Sequence, residues 1–147
     1  MSRQRIVVLV GLPGSGKSTW LARQGITALS SDTLRLWLAD DATDQTIHAR
    51  VFATMRYLLR QRLAIGREVS YVDATHLTPA ERAPYVEIAR AFGCGIEAMF
   101  FDTPVEVCHE RNAGRDRVVA VEAIAAMQAR LTPPSEEEGF GRVVVIR

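Results

Sequence analysis

The sequence predicts an α/β fold of three layers, with a mainly parallel sheet of about five strands between helices. Three observations carry this. Short apolar runs alternate with segments of helical period along the whole chain, the signature of strand–helix–strand crossovers. The first run, Ile6 to Val10, is continuously apolar and rich in β-branched residues, as in a strand buried on both faces. No repeat, low-complexity tract or linker divides the 147 residues, a length that suits one domain spanning 1–147.

The elements follow in order. After Ile6–Val10 comes a glycine-rich loop, then a helix from about Lys17 to Arg23. Residues Ile26 to Ser30 read as a second strand, and Ser31 can cap a short helix carrying Leu34, Trp37 and Leu38. A longer helix runs from Asp44 to Ile65, with Val51, Phe52, Met55, Leu58, Leu59 and Leu63 at helical spacing and Gly66 just past its end. Val69 to Asp73 is the third strand. Thr78-Pro79-Ala80-Glu81 has the form of a capping box with proline at the first helical position, opening a helix to about Phe92. Gly95 to Phe101 is the fourth strand. Thr103-Pro104-Val105-Glu106 repeats the capping pattern before a helix to about Asn112. A further helix carries Val121, Ile124, Met127 and Leu131, Pro133-Pro134 stops it, and Val143 to Ile146 is the last strand.

Composition bounds the function. About half the residues (48%) are apolar, a quarter (24%) are charged and the formal net charge is +1, so nothing overall announces a nucleic-acid or membrane-surface binder. A small acceptor site for a nucleic-acid end would not need a strongly basic chain. Cys94 and Cys108 form no CxxC pair and have no histidines at zinc spacing; they read as reduced, mostly buried thiols. The apolar run after the short basic start is too brief for a signal sequence or a membrane span, so the expected location is cytoplasmic.

In open parallel sheets, ligands bind beyond the carboxyl ends of the strands, so residues just after each strand are the candidates. After the first strand, Gly11-Leu12-Pro13-Gly14-Ser15-Gly16-Lys17-Ser18 matches G-x-x-x-x-G-K-[ST] in full, followed by Thr19. Glycines let the backbone turn tightly against phosphate oxygens, and the helix that follows favours a bound anion. In this P-loop Lys17 reaches the β- and γ-phosphates and Ser18 offers its hydroxyl to Mg²⁺. A dinucleotide loop of the G-x-G-x-x-G type fails, because Thr19 stands where the third glycine belongs. No N-K-x-D or D-x-x-G motif of guanine-specific switches follows the third or fourth strand. The chain therefore reads as a P-loop NTPase/kinase fold of the small-kinase kind, binding ATP and Mg²⁺.

Asp32 follows the second strand, where a carboxylate can accept the proton of an attacking hydroxyl or can complement a helix N-terminus. Arg35 lies one turn later on the same face, able to hold an acceptor phosphate or to remain solvated. Asp73 ends the third strand at a Walker B position, acting on Mg²⁺ directly or through water. Thr75 and His76 follow toward the site, His76 as a polar loop residue or a catalytic base. His48 and His109 look like helix-surface or packing residues. Arg111, Arg115 and Arg117 cluster around Gly114, forming either a lid over the triphosphate at about 111–118 or a solvated turn with Asp116 as partner.

These elements together resemble the polynucleotide 5′-hydroxyl kinase family, the phage enzyme and the kinase module of bacterial RNA end-healing proteins. The resemblance runs over nearly the whole chain, on GLPGSGKST, on SSDTLR, on VDATH followed by Arg82, on ERNAGRDR and on PPSEEEGF. It implies Asp32 as general base, Arg35 on the phosphate beside the acceptor hydroxyl, Arg111 and Arg115 on the donor phosphates, and Lys17 and Ser18 in their P-loop roles. Arg82 is implied as an acceptor-side or structural residue. Where the family often carries Asn after D-A-T, this chain has His76. It lacks a D-x-D-x-T phosphatase motif, so the expectation is the kinase part of end repair, acting on nucleic-acid 5′-OH ends with separate phosphatase or ligase partners. Two other readings stay open: a kinase for a sugar or nucleoside hydroxyl, and a non-kinase ATP-binding switch.

Overall fold

Strand β1 (Arg5–Val10) sits inside the sheet, and its residues divide between two cores. The computed structural model describes residues 3–114 and 119–147. Ile6, Val8 and Val10 pack with Val51, Met55, Leu59 and Leu63 of α3 (His48–Ala64) and with Tyr85, Val86 and Ile88 of α4 (Pro79–Phe92). Val7 and Leu9 face the other way, onto Leu21 of α1 (Lys17–Gln24). A strand whose two faces are both covered needs no polar alternation, which is why the run is continuously apolar.

The sheet is five-stranded and parallel throughout, in the order β2 (Leu29–Ser30), β3 (Val69–Asp73), β1, β4 (Gly95–Phe101), β5 (Arg142–Ile146). The predicted three-layer α/β architecture with about five strands is the one observed. The chain leaves β1 toward the β2 edge and leaves β3 toward the β5 edge. The carboxyl ends of these two neighbours therefore frame a switch-point crevice. A third cluster joins Leu12 of the P-loop and Leu77 to Cys108 of α5 (Val105–Ala113) and Ile124 of α6 (Val121–Arg130). Among the described residues no helix is long and apolar enough to cross a membrane.

Four local expectations are corrected. β2 is two residues, not five, because Gly25 closes α1 in a left-handed cap and Ile26 donates its N–H back to Leu21, which uses up the start of the expected strand. The cap of α2 (Ser31–Ala39) is Ser30 rather than Ser31: the Ser30 hydroxyl accepts from the Thr33 N–H at 3.3 Å. Helix α3 begins at His48, four residues later than Asp44. Asp41 and Asp44 instead accept from the backbone and hydroxyls of Thr43 and Thr46, local turns that compete with helix. Finally, Thr103 does not cap α5. Its hydroxyl donates to the Ser15 carbonyl at 2.8 Å and ties the β4–α5 loop to the phosphate loop. The Thr78–Glu81 capping box forms as expected, with Pro79 at the first helical position.

Candidate active site

The carboxyl ends of β1, β2 and β3 open into a cleft of about 1220 Å³. Its floor is the P-loop. Lys17 is buried there and donates to the carbonyls of Gly11 at 2.7 Å and Leu12 at 3.0 Å. Thr75 gives its backbone carbonyl to the Gly11 N–H, which fixes the β3 exit beside the loop. Pro13 through Thr19, Asp32, Arg35, Asp73, Thr75 and Arg111 all line the cleft, so most of the candidates read from the sequence converge on one space.

Gly14 shows how closely the loop is packed. Its φ is +81°, and a Cβ there would lie 2.6 Å from the Cys108 carbonyl oxygen of α5. Gly25 has a similar φ of +67° but open space around it. Gly14→Ala is therefore expected to cost about 2 kcal/mol or more, combining backbone strain with a clash, against about 1 kcal/mol for Gly25→Ala. Thermal melts of the two variants check this; equal losses would mean that the α5 contact is readily displaced.

On the opposite wall, Asp32 stands at the second position of α2, its carboxylate about half exposed. Since Ser30 is the cap, Asp32 is not needed for that task. Arg35 is 4% exposed. Its Nη1 donates to Asp32 Oδ1 at 3.3 Å, and its Nη2 lies 3.5 Å from His48 Nδ1. Its Nε is buried with no hydrogen-bond partner among the described residues. A buried guanidinium with an unused N–H is costly unless an acceptor completes it.

Outside the lining lie Gly11, Leu12, which packs into the third cluster, and two acceptor-side candidates. His76 is buried, with Nδ1 2.6 Å from the Leu9 carbonyl and Nε2 3.0 Å from the Tyr85 hydroxyl. Nδ1–H donates to the carbonyl and Nε2 accepts from the phenol, which is the neutral ring. Its φ of +47° is left-handed, a region that asparagine enters easily, in keeping with the Asn common at this place in the resembled family. Arg82 is fully buried. Nε and Nη2 donate to the two carboxylate oxygens of Glu138 at 2.8 and 3.0 Å, and Nη1 donates to the His76 carbonyl at 2.8 Å. Of the two roles open for Arg82, the structural one fits this placement.

Burial pushes the His76 pKa down from 6.5 to about 4. The folded state thus takes up its proton at lower pH than the unfolded chain does. This contribution to stability is complete above pH 6.5 and is lost as pH falls toward 4, by about 3 kcal/mol in all. Urea unfolding at a series of pH values should show this loss, and His76→Asn should flatten it. An unchanged slope in that variant would assign the effect to other groups.

Arg111 reaches across from α5, with Nη1 3.5 Å from the Gly14 carbonyl. Asn112, which sequence reasoning did not single out, is buried and clasps Val119 in both directions: Nδ2 donates to its carbonyl at 2.6 Å and Oδ1 accepts from its N–H at 2.9 Å. The two ends of the arginine-rich turn are thereby held together. Arg115 and Arg117 lie outside the described residues, as does most of the expected lid. His48 was also missed as a site residue. It lines the cleft one helical turn from Phe52, and their i,i+4 spacing was the available signal.

The cradle fits a triphosphate. Gly11 and Gly14 leave no room for a side chain, and the Lys17 ammonium group lies against the loop carbonyls. Among the described residues no group of three His, Cys, Asp or Glu could hold a metal. Ser18 and Asp73 both line the cleft and bring oxygen donors, the kind of group that would suit Mg²⁺.

A family model described as an AAA domain, AAA_33, matches residues 6–134. The chain belongs to this family. Over 149 aligned residues this AAA_33 domain is 26% identical to the bifunctional polynucleotide phosphatase/kinase of Schizosaccharomyces pombe, with 95% of the chain covered but only a third of that relative's length. Its fold is similar to a chain of the Pnkp1/Rnl/Hen1 RNA repair complex, with a TM-score of 0.73 at 22% identity, covering 89% of this chain and 45% of the other. It is also similar to an APS kinase of Mycobacterium tuberculosis solved with AMPPNP and APS, with a TM-score of 0.62 at 22% identity, covering 99% and 90% of the two chains. The fold is that of P-loop kinases, and the resemblance to polynucleotide kinases holds.

Proposed function

We propose that this chain is a kinase domain that transfers the γ-phosphate of ATP to the 5′-hydroxyl end of RNA or DNA. The observation that carries the reading is the pair Asp32 and Arg35 on the wall facing the P-loop. A carboxylate stands where a hydroxyl could be deprotonated, and one turn away a buried guanidinium keeps an unsatisfied N–H. A neutral sugar offers that N–H no anion, whereas an oligonucleotide brings a phosphate beside its terminal hydroxyl.

The loop N–H groups and Lys17 hold the triphosphate. Asp32 orients the acceptor hydroxyl and accepts its proton as the new O–P bond forms and the bond to the β-phosphate oxygen breaks. Lys17 and Arg111 meet the charge on the transferring group, and the family resemblance adds Arg115 to them. Mg²⁺ held by Ser18 and Asp73 would supply further neutralisation of phosphate charge. Thr75 lies at the acceptor side, and His76 and Arg82 shape that wall from behind. The proposed location is cytoplasmic, with phosphatase and ligase activities acting on the same ends as proposed partners.

The test is incubation with γ-labelled ATP, Mg²⁺ and an oligonucleotide bearing either a 5′-OH or a 5′-phosphate. Label should reach the 5′-OH end alone. ATP binding without transfer would reject this acceptor and favour a small anionic hydroxyl compound or a switch function.

A further inference from the structure

Beside the cleft lies a smaller pocket of about 210 Å³. His48 and Phe52, on α3, line both spaces. The walls of the smaller pocket combine aromatic rings with two charged side chains, Arg56 and Glu81. The His76 ring meets Phe52 and Tyr85 edge-on, at centroid distances of 6.4 and 5.0 Å. Because both His76 nitrogens are engaged by Leu9 and Tyr85, its ring offers the pocket no free polar atom. The α4 side is formed by Ala80 and Pro84, and Pro84 has no N–H to give the Ala80 carbonyl. Arg56, half-buried, brings a cation to the same space.

Successive contacts lead from the reacting wall to this pocket. Asp32 touches Arg35 at 3.3 Å, Arg35 meets His48 at 3.5 Å, and the His48 and Phe52 rings are 4.7 Å apart. A strand whose hydroxyl lies at Asp32 and whose first phosphate lies at Arg35 has its next sugar and base one or two contacts further on.

We propose that the small pocket receives the base of the acceptor's second nucleotide. This rests on the kinase reading above and adds a subsite to it. The volume is below the about 300–1,000 Å³ usual for whole ligands and suits a single ring system. The partly exposed rings of Phe52 and His48 can take any base by its face, and Arg56 can approach the ring or a carbonyl edge. The pocket therefore selects for a second nucleotide without selecting its sequence.

The experiment compares KM for three acceptors: a nucleoside 3′-monophosphate, a dinucleotide, and the same dinucleotide with its second base removed. The intact dinucleotide should have the lowest KM, by about tenfold against either of the others. Ala80→Phe fills the pocket from an exposed position and should bring that ratio close to one; Phe52→Ala should do the same by removing the stacking face. Equal KM values in the wild type, or a ratio that survives Ala80→Phe, would overturn the subsite while leaving the kinase intact. Absence of transfer to all three acceptors would overturn the kinase reading itself, and the subsite with it.

Discussion

Replacing Asp32 by asparagine is expected to lower the rate of 5′-end phosphorylation by about 100- to 10,000-fold, the usual contribution of a positioned general base. Asparagine keeps the shape and an acceptor oxygen for Arg35, so the wall should remain assembled. Because Asp32 lines the cleft from α2 and not from the P-loop, ATP affinity should change by no more than about twofold, and the loss should fall on turnover. Single-turnover transfer measured beside ATP titration separates the two. If turnover stays near that of the wild type, Asp32 serves only the start of α2, where a carboxylate complements the helix dipole.

The second large effect concerns stability. Arg82→Met should destabilise the fold by about 3–5 kcal/mol, because it strands the Glu138 carboxylate in a mostly buried position. Glu138→Leu should cost a comparable amount by stranding the guanidinium, which is fully buried. The double variant Arg82→Met/Glu138→Leu should recover most of the loss, since apolar side chains of similar volume can replace a buried pair. Denaturant unfolding of the three variants measures the coupling. Additive losses would show that the residues act separately, Arg82 mainly through its bond to the His76 carbonyl.

Much of the site was legible because its chemistry is local in sequence. The P-loop is eight consecutive residues with glycine at 11, 14 and 16 and Lys17-Ser18 at its end, and Asp32 and Arg35 share one helical turn. What sequence reasoning missed depends on contacts made across the chain. Whether Thr103 caps α5 or bonds to Ser15 is decided by how closely β4 approaches β1, and local pattern alone favoured the cap. The role of Arg82 could not be separated from the acceptor side, because its carboxylate partner lies 56 residues away. The burial of His76 turns on Leu9 and Tyr85, which no spacing rule brings together. Boundaries failed where side chains offered the backbone another partner, as with Asp41 and Asp44 before α3.

The position of β1 also has a consequence for biosynthesis. Its two pairing partners begin at Val69 and Gly95, so on the ribosome Ile6–Val10 emerges long before either neighbour exists. At about 5–20 residues per second, Val69 follows about 3–12 seconds later and Gly95 about 4–17 seconds later. Throughout the first of these intervals, an apolar β-branched pentapeptide, of the composition that seeds intermolecular strands, has neither of its pairing strands beside it. The same continuous run that makes a good central strand therefore makes the nascent chain a client for chaperones until β4 has been translated.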